Sequence, residues 1–147
     1  MFLARDTRES SPRLIAAMKR AFDIFGVGWE DFDLLTTPQL HWIVARTYET
    51  NIRKSVKDYV NHYGTSFDKF FNLVKDQDKA NYKDSLILDC ANGVGALAVA
   101  EIAEGMRAHL DVTLINKSTD QPTLLNEKCG AEYVHKSGEN PEELAEV

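Results

Sequence analysis

The chain has 147 residues, 44% of them hydrophobic and 27% charged, which suits one ordinary folded domain or two small or incomplete ones. Its formal net charge of −6 argues against a nucleic-acid surface, which needs a basic stripe. No apolar run approaches the roughly 20 residues of a membrane span.

In chain order, Phe2-Leu3-Ala4 reads as the last residues of a buried strand, as if the chain begins inside an element. Ser10 or Ser11 is an N-cap, Pro12 opens a helix and Gly26 stops it. Leu14, Met18, Ala21, Phe22 and Phe25 share that helix's apolar face. A strand follows at Asp33-Leu34-Leu35, then a second capped helix with Thr37 as cap, Pro38 at its start and Leu40, Ile43 and Val44 inward. Two further helices are expected, one over Ile52 to Tyr63 and one over Phe67 to Val74, separated near Gly64-Thr65-Ser66. The polar run from Lys75 to Asp84 marks a boundary. The domain reading is therefore 1–75 with the helical connector, a linker at 76–84, and a second unit at 85–147. In that unit Ser85–Cys90 is a buried strand, Ala91–Gly95 a tight glycine loop and Ala96 to about Arg107 a helix. Strands at Leu110–Ile115 and Glu132–His135 follow, and residues 140–147 resemble the start of another helix. Strand, loop and capped helix in alternation are the grammar of an α/β fold.

Three places could carry chemistry. "LARDTRESSP" puts Arg5 and Arg8 around Asp6 ahead of a helix N-terminus, where unpaired N–H groups and a guanidinium can grip an anion. The plainer alternative is an Arg5–Asp6 surface pair with Arg8 solvated. "LILDCANGVGA" ends a strand in Asp89 and turns through Gly93 and Gly95, as nucleotide-type folds do at a phosphate or cofactor site, or as a simple tight turn does. It resembles the first motif of S-adenosylmethionine methyltransferases. However, the acid which that family carries after the next strand is replaced by Asn116-Lys117. The four histidines are scattered and form no metal pair; Cys90 and Cys129, without CxxC or histidine spacing, read as free buried thiols of a reducing compartment, the cytoplasm by default. No catalytic residue and no metal ligand is assigned from the residues themselves.

Four stretches in this order, "ARDTRESSPRL", "LLTTPQLHWIV", "LILDCANGVGALAV" and "LNEKCGAEYVHK", resemble the eukaryotic phosphoacetylglucosamine mutases of the α-D-phosphohexomutase superfamily. The family carries glycine where Ala4 stands. The resemblance covers nearly the whole chain and implies a fragment: the later part of domain 1 and the first part of domain 2, in mixed-sheet α/β layers. It implies interconversion of N-acetylglucosamine 6-phosphate and 1-phosphate through a phosphoserine, with magnesium in an aspartate-rich loop and a sugar phosphate as partner, in UDP-N-acetylglucosamine synthesis. It maps Arg8 to the arginine beside the transferring phosphate, and leaves Arg5 and Asp6 to shape the loop. Thr36, Thr37 and the Asn92-Gly93 loop read as structural. Neither the serine loop nor a DGDxDR-type metal loop occurs in this sequence. The piece is therefore expected to be inactive alone. The alternatives are a small methyltransferase-like protein and a non-catalytic binding module derived from the same fold.

Overall fold

The structure, a computed structural model, describes residues 1–74, 79 and 81–146. β1 (Phe2–Arg5), α1 (Ser11–Ile24) and β2 (Glu30–Leu34) form a βαβ unit in which the two strands pair in parallel. α2 (Thr37–Thr50) and α3 (Val56–Leu73) follow. β3 (Ser85–Asp89), α4 (Gly95–Met106) and β4 (Asp111–Ile115) make a second parallel βαβ unit, in register from Ser85 opposite Asp111 to Asp89 opposite Ile115. A 3₁₀ turn (Pro122–Leu124), α5 (Gly130–Ser137) and a 3₁₀ turn at Glu142–Glu146 complete the chain. Both sheets among the described residues are two-stranded and parallel, and no helix among those residues is long and apolar enough to cross a membrane.

Local chemistry accounts for the helix starts. Pro12 and Pro38 occupy the first turns of α1 and α2, where a missing N–H costs nothing. α2 begins one residue earlier than the sequence suggests: the cap is Thr36, in extended conformation, whose hydroxyl accepts from Gln39 N while Gln39 Oε1 accepts from Thr36 N at 2.9 Å. Ser55 and Asp58 make the same reciprocal pair for α3. The helix then buries Tyr59 against Trp42, edge to face at 5.7 Å, and Ile43 is fully enclosed, which contributes about 1.5–3 kcal/mol relative to exposure.

Four expectations are corrected. The connector is one helix through Gly64, because Gly64 meets Gly105 of α4: a Cβ built there would lie 3.3 Å from the Gly105 Cα. The glycine is a crossing point of two helices and not a break. Glu132–His135 is helical, within α5. Gly138 ends that helix in a left-handed conformation at φ 73°, Glu132 lies in its first turn and His135 and Lys136 in its last, and these end signals outweigh the strand preference of Tyr133-Val134. β2 starts at Glu30, before the expected Asp33, and Asp33 itself sits at φ 60° where the register slips between Leu3 and Arg5, a bulge in β2. On α1 the residue buried is Ile15, while Leu14, Met18 and Phe25 remain exposed.

The expected linker at 76–84 falls partly on residues 76–78 and 80, which lie outside the described residues. Around it the two units meet through rings. His109, after α4, stacks on Phe71 of α3 at 4.0 Å and 20°, its Nε2 lies 2.8 Å from Asp68 Oδ1, and Tyr82 donates its hydroxyl to the His109 carbonyl at 2.8 Å. On the first unit, Arg53 stacks over Phe2 and Phe32 at 4.4 and 4.6 Å and pairs with Glu30 at 2.6 Å, closing the sheet face beside the α2–α3 turn.

Candidate anion-binding cleft

Polar groups at helix starts gather at the C-terminal edge of the first sheet. A cleft of about 550 Å³ is bounded there by Arg5, Asp6, Arg8, Ser10, Ser11, Thr36 and Thr37, floored by apolar side chains that include Ile15 and Leu35, and met by Val94 from the second unit. Ser10 precedes α1, Thr36 caps α2 and Val94 precedes α4, so residues at the starts of three helices line one space, and a helix start carries partial positive charge. The parallel pairing of β1 and β2 places the starts of α1 and α2 on the same edge of the first sheet.

The two arginines have different partners. Arg5 does not pair with Asp6: its Nη2 bonds Asp33 Oδ1 at 2.5 Å, and the left-handed Asp33 at the bulge supplies that carboxylate. Asp6 instead organises its own loop. It accepts from the Arg8 guanidinium, from the Arg8 main-chain N–H at 3.1 Å and from the Ser11 hydroxyl. Partial burial works against its charge, but the Ser11 hydroxyl and the two Arg8 donors outweigh it and hold its carboxyl below the usual 3.8. Arg8 is thus held at the rim, paired on one side to Asp6, with its side chain 70% exposed. An anion entering the cleft meets a guanidinium positioned by Asp6 with donors left over, since guanidinium carries five. Sequence reasoning singled out Arg8 and Asp6 but missed Asp33 and Val94. Asp33 is reached only through the bulge, and Val94 only through tertiary packing.

The Asp89 stretch is committed to holding its own fold together. Asp89 Oδ1 accepts from Ala91 N and from Asn116 Nδ2, each at 2.9 Å, and Oδ2 accepts from Gly130 N. The left-handed positions in this loop are Ala91 and Asn92, at φ 52° and 53°; neither Gly93 nor Gly95 is among them. Asn92 is buried, donates to Leu124 O at 3.1 Å and accepts from Ser118 N at 2.9 Å. With its acid used this way, the stretch holds β3, β4 and α5 together, and the methyltransferase reading finds no support. Gly130 is required here by both its φ of 81° and its space, since a Cβ would stand 2.7 Å from that of Ala91. Burial, and then the charge of Asp89, push the thiols of free Cys90 and Cys129 up. Among the described residues no group of three or more His, Cys, Asp or Glu side chains is placed to hold a metal ion.

The geometry has counterparts among known proteins. No family model matches the chain. It is 37% identical over 138 residues to the phosphoacetylglucosamine mutase of Oryza sativa, covering 92% of this chain and 24% of that protein. It is 34% identical over 146 residues to that of Homo sapiens, covering 99% and 26%. A crystal structure of N-acetylglucosamine-phosphate mutase in its substrate complex, described as a member of the α-D-phosphohexomutase superfamily, superposes with a TM-score of 0.81 at 33% identity, over 96% of this chain and 26% of that one. The Aspergillus fumigatus N-acetylphosphoglucosamine mutase, solved with GlcNAc-6P and magnesium, gives a TM-score of 0.80 at 32% identity, over 96% and 28%. The fold is therefore the α/β fold of the phosphohexomutases. Within that class, the chain matches phosphoacetylglucosamine mutases and spans about a quarter of the length of the curated relatives.

Proposed function

We propose that this chain is a segment of a phosphoacetylglucosamine mutase, an isomerase that interconverts N-acetylglucosamine 6-phosphate and 1-phosphate in the cytoplasm on the way to UDP-N-acetylglucosamine. The segment comprises the later part of domain 1 through residue 75, a linker at 76–84 and the first part of domain 2. The observation that carries the reading is Arg8, held by Asp6 at the rim of a cleft on which three helix starts converge, in a chain that matches such enzymes from end to end. In this reading Arg8 binds the phosphoryl group electrostatically, and the α1 and α2 N-termini add partial positive charge. The phosphoserine that donates phosphate, and the magnesium that neutralises charge in transit, come from the intact enzyme and not from the residues of this chain. The segment alone does not turn over.

The test is a graft. Residues 1–147 replace the corresponding quarter of the Candida albicans phosphoacetylglucosamine mutase, and conversion of N-acetylglucosamine 6-phosphate is followed by ³¹P NMR. An active chimera is the expected result. A chimera that folds with the parent's circular dichroism but does not turn over removes the reading.

A further inference from the structure

Asn92-Gly93 is an asparagine–glycine pair, the combination in which the following main-chain nitrogen attacks the asparagine carboxamide most readily, because glycine adds no side-chain hindrance. In the seated loop both reacting groups are engaged. Gly93 donates its N–H to Cys90 O at 2.9 Å. The Asn92 carboxamide is held by Leu124 O, by Ser118 N and by Cys129 Sγ at 3.6 Å, and the residue is 8% exposed. Its own N–H goes to Asn116 O at 2.6 Å.

We propose that Asn92 is a conditional deamidation site, closed while the loop between β3 and α4 is seated and opened by its release, and that the reaction locks the loop open. In the released loop the Gly93 nitrogen loses its proton and bonds to Asn92 Cγ. The Cγ–Nδ2 bond breaks and ammonia leaves with the proton. Water then opens the cyclic imide, leaving aspartate or its β-linked isomer at position 92. One water enters, one ammonia leaves, and nothing is oxidised or reduced. The product has no Nδ2 donor for Leu124 O or Cys129 Sγ. Its carboxylate would enter a buried position close to Asp89, whose charge already reaches Cys129. Reseating is therefore opposed, and three strands of structure that meet at Asn92 come apart together: the end of β4, the 3₁₀ turn and the start of α5.

The experiment follows conversion of Asn92 by peptide mapping and mass spectrometry in mildly alkaline buffer across a urea series. In buffer the rate is expected to be at least about tenfold slower than in concentrated urea, rising in step with loss of far-ultraviolet circular dichroism. Gly93→Ala is the chemical control. Its Cβ would lie 3.4 Å from Cys90 O and 3.5 Å from Leu125 Cδ1, ordinary contact, so the variant folds, and in urea it is expected to deamidate several-fold more slowly than wild type. Equal rates with and without urea overturn the closed site. Equal rates for wild type and Gly93→Ala in urea overturn the attack by the Gly93 nitrogen. Deamidated chain that refolds with an unchanged urea midpoint overturns the lock.

Discussion

Gly64 of α3 and Gly105 of α4 cross with no side chain between them, and a Cβ on either would lie 3.3 Å from the other's Cα. The crossing predicts that bulk is not tolerated there. Gly64→Val is expected to cost about 1–3 kcal/mol through overpacking, despite the loss of a flexible helical glycine. Urea denaturation followed by circular dichroism reads the cost, and an unchanged midpoint would refute the close approach.

Arg8 and Asp6 separate binding from folding. Grafted into an active mutase, Arg8→Ala should lower turnover about 10- to 100-fold, the worth of one charge-assisted hydrogen bond. Its effect on stability should stay within about 0.5 kcal/mol, since the side chain is largely exposed. The two readouts are steady-state kinetics and thermal melting. Equal turnover in the two proteins rules out a phosphate contact at Arg8.

Asp89 should behave in the opposite way. Asp89→Asn places an amide where three N–H donors converge, from Ala91, Asn116 and Gly130. A loss of about 2–4 kcal/mol is expected, larger than for a single neutral hydrogen bond. Hydrogen exchange should show loss of protection in β4 and α5 before the first βαβ unit is affected.

Alkaline pH should destabilise the connector through Tyr59. Burial first, and then its hydrogen bond and proximity to Tyr63, push the Tyr59 hydroxyl from 10.0 up to about 12. The folded state therefore keeps a proton that the unfolded chain loses, so the stabilisation is complete below about pH 10 and disappears as pH rises to about 12. Urea midpoints across that window should fall for wild type and fall less for Tyr59→Phe. Parallel slopes would show that Tyr59 does not carry the effect.

The parts of this fold that local chemistry determines were legible in the sequence. Ser-Pro and Thr-Pro announce the starts of α1 and α2, and the apolar run ending in Asp89 announces β3. The cap at Thr36 was misread by one residue because Thr37 has the same side chain; the choice depends on Gln39, three residues past Thr36, closing the box. Gly64 reads as a break because nothing nearby in sequence reveals Gly105. Tyr133-Val134 reads as a strand because its preference is local, whereas the helix is set by Gly138 and by Gly130, whose N–H donates to Asp89. At the cleft, Arg8 was legible from its motif. Arg5's partner was not, since Asp33 reaches it only through a bulge 28 positions along the chain. Val94, which comes from the other βαβ unit, left no local trace.

Val94 gives the cleft a wall carried on α4, and α4 rests on α3 through Gly64 and Gly105. That wall is thus seated on a contact between two main chains, where no side chain is present to give way.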